Sequence, residues 1–441
     1  MKMIKKKILF ALERFNHLAL LLNLLKWIFL GGIVGIIIGL LSEVFLLSLN
    51  IATDKRLQYP WSIYLLPLGG AFVSFLYTKY GKTSSQGNNL ILDQIHHGDK
   101  EIPLRMAPLV FIGTVVTHLF GGSAGREGTA VQMGGSIAEF IGRLFKLDKE
   151  DRRIILMCGI SSGFGAVFGT PLAGTIFGME VISIGSMEYS ALIPCFTASF
   201  TGNLIATALG ATHSHYKLNG IPELSIDVII KVVIASLLFG LISVIFSECI
   251  HECKKVFSKL FKCASIKSFW GGIIIILLTL IIVKRDYLGL GLPILENSFS
   301  SIVSKVDFVW KIIFTSITLG AGFQGGEVTP FFFVGATFGN MLAGVINLSP
   351  SFLAGLGLVA VFCGATNTPI SSFFLGLELF HGEAIVYIFI ACIISYLFSG
   401  YHGIYTSQKI NKAKSKILQI PEGETIGSLK KKRKQNLSCK K

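Results

Sequence analysis

Apolar segments recur along nearly the whole 441-residue chain, and no long polar segment separates them. Many of these segments are shorter than the roughly 20 residues needed to span a bilayer, and Gly or Pro residues interrupt them. Hydrophobic residues make up 52% of the chain and charged residues only 15%, which excludes a soluble enzyme, a secreted disulfide scaffold and a disordered protein. We therefore expect an all-α integral membrane protein with broken, partly spanning helices. Irregular backbone is tolerated at membrane depth where it lines a cavity, so the pattern favours an ion pathway.

Basic residues concentrate at both ends of the chain. Residues 1–26 and 409–441 hold many of its 40 Lys and Arg residues, including the run 430–434. Cytoplasmic segments of membrane proteins are enriched in Lys and Arg, so we expect both termini in the cytoplasm and a basic N-terminal segment at residues 1–26. Nucleic-acid binding by these tails is the weaker alternative, and we predict no nucleic-acid partner.

Eight cysteines are scattered along the chain without a CxxC spacing. One cluster, Glu-Cys-Ile-His-Glu-Cys at residues 248–253, combines residue types that bind metals. Its spacing is irregular and no second cluster completes it, so we predict neither a metal site nor a cofactor.

The chain repeats internally. Residues 170–180 and 368–378 share Thr, Pro, Gly and Glu at matching positions, and the Gly-rich segments ending at Glu127 and Glu327 repeat at a similar offset. This order predicts two homologous halves. Basic residues precede the first apolar segment of the first half but follow that of the second, which predicts that the halves are inverted. We divide the chain into a first membrane repeat at 27–211, a second at 212–401, and a final short helix with a basic cytoplasmic tail at 402–441.

The segment Gly-Ser-Ala-Gly-Arg-Glu-Gly-Thr at residues 122–129 precedes a long apolar helix. Backbone N–H groups at a helix start carry partial positive charge and can bind an anion. The carboxylate of Glu127 can compete for the same donors, and a carboxylate at membrane depth is costly unless it is paired or protonated. A structural ion pair between Arg126 and Glu127 is the alternative interpretation.

The matching segment Gly-Gly-Glu-Val-Thr-Pro at residues 325–330 also precedes a helix start. Glu327 places a second acid at membrane depth, and Thr329 adds a hydroxyl donor. The alternative is an ordinary helix cap, in which Glu327 or Thr329 only satisfies backbone donors.

Two further segments carry candidate polar groups. Asn88 and Asn89 begin a short apolar stretch and can offer amide donors to an anion, or can simply cap a surface helix. Tyr405 follows the last long apolar segment and can aim its hydroxyl at an ion near the end of a pathway, or can belong to an interfacial aromatic belt.

These residues resemble the CLC family of chloride channels and anion/proton antiporters, roughly from Asn88 to Tyr405. Residues 125–128 (Gly-Arg-Glu-Gly) resemble the segment that carries the family's gating glutamate, and residues 170–180 resemble its "PLAG" turn and helix. The resemblance implies an inverted repeat of tilted, broken and partly spanning helices, built as a dimer with one pathway in each subunit.

The chain departs from the common family pattern at three places, and these departures indicate which branch of the family it resembles. Gly-Asn-Asn-Leu stands at residues 87–90 where most chloride members have a filter serine, and Val181 stands where most transporters carry a second glutamate. At residues 325–330 this chain has Gly-Gly-Glu-Val-Thr-Pro, where most family members have a segment without the glutamate. This combination resembles the fluoride/proton antiporter clade. By that resemblance Glu127 is the gating and proton-carrying residue, and Glu327 lies in the central proton and anion path. The anion-binding set would be Asn88, Asn89, Gly125, Arg126, Gly128, Thr129, Val328, Thr329 and Tyr405.

The sequence thus predicts a multi-pass, homodimeric fluoride/proton antiporter that exports fluoride across the plasma membrane, with fluoride, protons and lipid as its partners. The alternative is a chloride or nitrate channel, or a chloride/proton antiporter, of the same family. An intramembrane enzyme is disfavoured because the nearest nucleophile and base candidates, Ser123 and His118, lack a third orienting group in the sequence.

Overall fold

The computed structural model describes residues 16–98, 101–417, 420 and 422–438. The basic residues before position 16 lie outside this range. The first half of the described chain contains helices α1 (Asn16–Gln58), α2 (Leu66–Leu76), α3 (Asn88–His97), α4 (Met106–Leu119), α5 (Glu127–Leu144), α6 (Lys149–Phe168), α7 (Pro171–Glu180) and α8 (Leu192–Ala208).

The second half repeats this order of helices. Its members are α9 (Ile226–Leu260), α10 (Ala264–Ile282), α11 (Leu292–Asn297), α12 (Asp307–Gly320), α13 (Val328–Ile346), α14 (Pro350–Thr366), α15 (Pro369–Leu379) and α16 (Ile385–Phe398). A last helix, α17 (Ile426–Ser438), follows, and β1 (Ser183–Ile184) pairs in parallel with β2 (Lys409–Ile410). Eight helices therefore match eight in chain order.

The boundary between the third-last and second-last helix of each half shows the repeat in the backbone itself. α6 ends at Gly169 with φ of 75°, and α14 ends at Asn367 with φ of 57°, both in the left-handed region that Gly and Asn tolerate. The next residues, Thr170 and Thr368, have φ/ψ of −124°/74° and −123°/74°. A proline then begins each following helix, where its missing N–H costs nothing.

The two halves are inverted relative to each other. The segment between them, residues 209–225, contacts the start of α14 through a hydrogen bond of 2.5 Å from Ser349 Oγ to the carbonyl of Asn219. The same segment lies against the end of α6, where His213 packs on Gly169. The C-terminal segment contacts the opposite end of α14, since Asn367 Nδ2 donates to the carbonyl of His402. The matching helices α6 and α14 therefore point in opposite directions, which confirms the predicted inverted repeat.

Each half caps a helix of the other half. Glu378 accepts hydrogen bonds from the backbone N–H groups of Leu172 and Ala173 at the start of α7, at 2.9 and 2.8 Å. Glu180 accepts from Ile370 and Ser371 at the start of α15, at 3.1 and 2.8 Å. Four helix-start donors thus find side-chain carboxyl acceptors in the opposite half, and the two halves are tied at equivalent positions.

Several of the described helices have the length and surface of membrane spans. By length and composition, six stretches of the described chain can cross a membrane: His17–Gln58, Pro60–Gln86, Tyr189–Ala208, Ile226–Leu260, Ala264–Ile282 and Val328–Ile346. The interior is a continuous apolar core in which α14 is buried along its whole length. Large apolar side chains remain exposed on α1, α9 and α10, as a lipid-facing surface requires.

Helices lie in both terminal segments of the predicted division of the chain. α1 begins at Asn16, inside the segment 1–26 that was expected to be a separate basic region. The final helix is Ile426–Ser438, well beyond Tyr405, which itself lies in irregular backbone. The basic run lies in this helix, and its first residue contacts the body of the protein: Lys430 forms an ion pair with Glu248, which also contacts His402.

Removal of one reciprocal cap should lower stability. In Glu378→Ala the N–H groups of Leu172 and Ala173 lose their acceptors, and we expect a loss of about 1–3 kcal/mol, visible as a lower melting temperature of the purified protein in detergent. Glu223→Ala removes an exposed glutamate from the segment between the halves and is the matched control. Equal melting temperatures for the two variants would contradict the stabilising role of the cap.

Candidate functional site

The glycine-rich breaks of the two halves meet in the middle of the molecule. Gly125 and Gly326 form an isolated antiparallel bridge, with N–H to carbonyl distances of 2.6 and 2.7 Å in the two directions. A Cβ on Gly326 would lie 2.6 Å from the backbone nitrogen of Gly128, and one on Gly325 would overlap Cβ of Ala124. This close approach brings the starts of α5 and α13 together.

The carboxylate of Glu127 is held by the helix start of the other half. Its Oε2 accepts hydrogen bonds from the backbone N–H groups of Arg126 and Thr329, both at 3.1 Å. Its Oε1 accepts from the hydroxyl of Thr329 at 2.5 Å and lies 3.5 Å from Nε of Arg126. The sequence suggested that Glu127 would compete for the donors of its own helix. It accepts one such donor, the Arg126 N–H, and also takes two from Thr329 of α13, because the glycine bridge places that helix start beside it.

Arg126 and Thr129 have different surroundings. Arg126 is partly exposed, and its Nε, without a hydrogen-bond partner, faces the Glu127 carboxylate. Thr129 is fully buried and its hydroxyl is 2.7 Å from that of Thr114 on α4. The helical turn directs the Thr129 side chain away from Glu127, so its hydroxyl joins α4 to α5.

Glu327 and Asn88 converge on the glycine that follows Glu127. A Cβ on Gly128 would lie 3.2 Å from Oε2 of Glu327 and 3.3 Å from Nδ2 of Asn88. Asn88 is buried and Glu327 is partly buried, and neither the buried Oε2 of Glu327 nor the buried Oδ1 of Asn88 has a hydrogen-bond partner within the protein. Glu327 immediately precedes α13, and Val328 begins it. A buried acceptor without a donor is costly, so this place favours a proton or a bound donor.

Asn89 and Tyr405 are joined through the C-terminal segment. Oδ1 of Asn89 accepts a hydrogen bond of 2.9 Å from the backbone N–H of Ser407, two residues after Tyr405. The same segment is held by a hydrogen bond between Ile404 N–H and the carbonyl of Ala365. Asn89 therefore holds the segment that carries Tyr405 against the start of α3, and Tyr405 is buried.

Three cavities lie on either side of these groups. The tail-side cavity, about 540 Å³, is lined by Asn88, Asn89, Glu327 and Tyr405. The Glu127 chamber, about 20 Å³, is lined by Arg126, Glu127 and Thr329 among others. The loop-side cavity, about 520 Å³, lies beyond it and is lined mainly by residues 213–219. Glu127 and Glu327 therefore stand between two water-accessible spaces that open toward opposite faces.

Several lining residues were not identified from the sequence. Gln132 on α5 lines the tail-side cavity together with the cationic side chains of Lys254 and Lys267. Gln132 is a polar residue in the same helix as Glu127, five residues after it, which is a signal that the sequence offers. The sequence places the two lysines only among the basic residues that follow the first apolar segment of the second half, because it does not show which cations face a cavity. Among the described residues, no group of three or more His, Cys, Asp or Glu is arranged to hold a metal ion.

This architecture defines a multi-pass membrane protein with an inverted repeat, two glycine-broken helix starts at its centre and a buried carboxylate between cavities on opposite faces. A family model described as voltage gated chloride channel matches residues 69–400. The chain therefore belongs to the voltage gated chloride channel (CLC) family.

Its relatives include both fluoride and chloride proteins. The chain is 44% identical over 408 residues to a "Chloride/fluoride channel protein" of Pseudomonas syringae pv. tomato, with 91% of this chain and 90% of the relative covered. It is 23% identical to the "H(+)/Cl(-) exchange transporter ClcA" of Vibrio campbellii, with 80% and 81% covered. The crystal structure of a CLC-type fluoride/proton antiporter superposes with a TM-score of 0.85 at 34% identity, covering 88% of this chain and 98% of that one.

Substitution at the glycine bridge should disturb the centre of the site. In Gly326→Ala the new methyl group would contact the backbone nitrogen of Gly128, so the bridge to Gly125 must open. We expect poor assembly or a strongly reduced melting temperature, measured in detergent by light scattering and thermal unfolding. Gly344→Ala is the matched control, since a Cβ there meets nothing within 4 Å. A Gly326→Ala protein as stable as this control would contradict the close approach.

Proposed function

We propose that this protein is a fluoride/proton antiporter that exports fluoride from the cell. The observation that carries the proposal is the position of the Glu127 carboxylate, which occupies a set of anion donors between two cavities. Sequence similarity to a chloride/fluoride channel protein and to a CLC-type fluoride/proton antiporter supports it.

Exchange follows from competition for these donors. The N–H and hydroxyl of Thr329 can bind either the Glu127 carboxylate or a fluoride ion, but not both at full strength. When fluoride takes the donors, the displaced carboxylate loses its hydrogen bonds in a low-dielectric place, and a proton then neutralises it. Release of the proton lets the carboxylate return and expel the anion. Fluoride occupancy and protonation of Glu127 are therefore coupled, and antiport results when the proton comes from the face toward which fluoride leaves and is released to the face from which fluoride came.

Glu327 provides the second proton-bearing group of the proposed mechanism. Its Oε2 is buried beside Asn88 without a donor. A protonated Glu327 can donate its O–H to fluoride, and the Asn88 amide can donate from the other side. Tyr405 lines the same cavity and would delimit its inner end. Fluoride is small and strongly hydrated, so close and strong donors of this kind replace its water better than a single serine hydroxyl.

The orientation and assembly are part of the proposal. Lys and Arg are concentrated in the C-terminal segment, and Lys254 and Lys267 line the tail-side cavity, which supports a cytoplasmic position for that face and for both termini. The cations would also attract anions into the cavity. Exposed apolar side chains on α8 and α16 offer a surface on which a second copy can pack, as the CLC resemblance implies for a homodimer.

Flux from liposomes tests the function directly. Purified protein is reconstituted, and fluoride and chloride efflux are recorded with ion-selective electrodes while the external pH is followed. We expect fluoride efflux accompanied by proton uptake, and little chloride efflux. Comparable chloride efflux would favour the alternative, a chloride channel or chloride/proton antiporter. Fluoride efflux without proton movement would contradict antiport.

Neutralisation of Glu127 should uncouple protons from fluoride. Glu127→Gln keeps the shape of the side chain but cannot carry a proton, so we expect proton uptake to vanish in the liposome assay while the melting temperature stays close to that of the unmodified protein. Glu223→Gln is the control because its side chain is exposed on the segment between the halves. Persistent coupled proton uptake by Glu127→Gln would exclude the gating role.

Substitution of Asn88 tests selectivity. Asn88→Ser replaces the amide that approaches Gly128 with a shorter hydroxyl, which leaves a small anion with one donor fewer at that distance. We expect the ratio of fluoride to chloride efflux to fall. Asn203→Ser on α8 serves as the comparison, because Asn203 lies outside the three cavities. An unchanged ratio in Asn88→Ser would assign selectivity to other donors.

A further inference from the structure

The segment between the two halves, residues 209–225, has a defined position although it contains no helix or strand. The backbone N–H of Tyr216 donates to the carbonyl of Leu379 at 3.1 Å, and that of Asn219 donates to Oγ of Ser351 at 3.0 Å. The N–H of Leu218 donates to Glu383. These contacts hold the segment against the ends of α14 and α15 on the face opposite the C-terminal tail.

Tyr216 lies where this segment meets the ion path. It lines both the Glu127 chamber and the loop-side cavity, and of the residues in these two linings only Ser214 shares that position. Its ring is buried and stacks on Phe299 at a centroid distance of 4.5 Å and an interplanar angle of 14°. Tyr216 therefore stands at the constriction between a space of about 520 Å³ and one of about 20 Å³.

The inverted repeat gives this tyrosine a counterpart. Tyr216 follows α8, the last helix of the first half, and Tyr405 follows α16, the last helix of the second half. Both lie in irregular backbone, both are buried, and each lines the large cavity of one face. Inversion carries the segment after the first half to one face and the segment after the second half to the other. A buried tyrosine therefore lies on each side of Glu127 and Glu327.

We propose that Tyr216 is the loop-side gate of the anion path, a ring that separates the Glu127 chamber from the loop-side cavity as Tyr405 bounds the tail-side cavity. The proposal rests on the proposed function in that it assumes ions pass Glu127. The chamber has room for about one water-sized particle, so an anion or reagent larger than water fits there only if the lining, which includes the ring, moves. Its hydroxyl stays protonated because burial raises the pKa of Tyr216 to about 12, and it can donate to a passing anion.

The position of the Tyr216 ring affects how many protons move for each fluoride ion. While Glu127 occupies the Thr329 donors, the ring separates the chamber from the loop-side cavity. An anion released from the centre must pass the ring before it reaches solution. Loss of the ring would let anions pass without waiting for the carboxylate, so the number of protons moved for each fluoride would fall.

Thiol accessibility tests the gate without any flux measurement. Leu295 lines the Glu127 chamber and is buried, so Leu295→Cys places a thiol behind the proposed gate. The anionic reagent methanethiosulfonate ethylsulfonate is added to the protein in detergent, and labelling is read by mass spectrometry. We expect the labelling rate at position 295 to rise several-fold when Tyr216→Ala is added, and to stay near its starting value with Tyr216→Phe.

Two controls separate gate opening from unfolding and from a general surface effect. Cys158 and Cys363 are buried elsewhere in the protein and would react together with position 295 if Tyr216→Ala merely unfolded the chain. Tyr189→Ala removes an exposed tyrosine that lines none of the three cavities and should leave the rate unchanged. The proposal would be overturned if position 295 reacted equally fast with and without Tyr216→Ala, or if Cys158 reacted at the same pace.

The liposome assay then gives the functional result. We expect Tyr216→Ala to move fewer protons for each fluoride than the unmodified protein, and Tyr216→Phe to restore the ratio, because the ring rather than the hydroxyl closes the path. An unchanged ratio in Tyr216→Ala would overturn the gate. Absence of fluoride-coupled proton uptake in the unmodified protein would instead contradict the proposed function, and the thiol result would still decide whether Tyr216 closes the chamber.

Discussion

The backbone bridge between Gly125 and Gly326 is the contact on which the rest of the site depends. Two helix starts carry partial positive charge and repel each other, so they approach this closely only when something negative lies between them. The glycines remove the steric barrier, and the carboxylate of Glu127 supplies the charge by accepting from Thr329 of the other half. The site is therefore a shared product of both halves and exists in neither alone.

The same exchange between halves stabilises the surrounding fold. Glu180 and Glu378 each cap a helix of the opposite half at equivalent positions. Because membrane helices gain little from the hydrophobic effect when they associate in lipid, hydrogen bonds of this kind and close packing at small residues carry much of the specificity. The capping acids, Glu180 and Glu378, differ from the central Glu327 in whether their carboxyl oxygens have hydrogen-bond donors. The capping pair is fully satisfied, whereas Oε2 of Glu327 has no donor, which suits a group that gains and loses a proton.

Local sequence patterns predicted part of the site and tertiary contacts decided the rest. Glu127 and Glu327 were recognisable because acids next to glycine breaks in apolar sequence are rare and costly. Thr129 was included because it adjoins the same motif, yet its hydroxyl contacts Thr114, since the helical turn points it away from the carboxylate. The prediction that Asn89 binds an anion through its amide donors stays a prediction, whereas its side-chain oxygen holds Ser407, a contact across most of the chain that spacing does not reveal.

The sequence by itself determined the membrane class, the two halves, their inversion and the acids at the glycine breaks, because each follows from hydrophobicity, charge placement or internal repetition along the chain. Only the tertiary structure decided which helix start receives which carboxylate, and that Tyr216 and Tyr405 occupy matching places on opposite faces. The physical reason is that a donor at a helix start has a direction as well as a position. Its partner is set by how the broken helices meet in space.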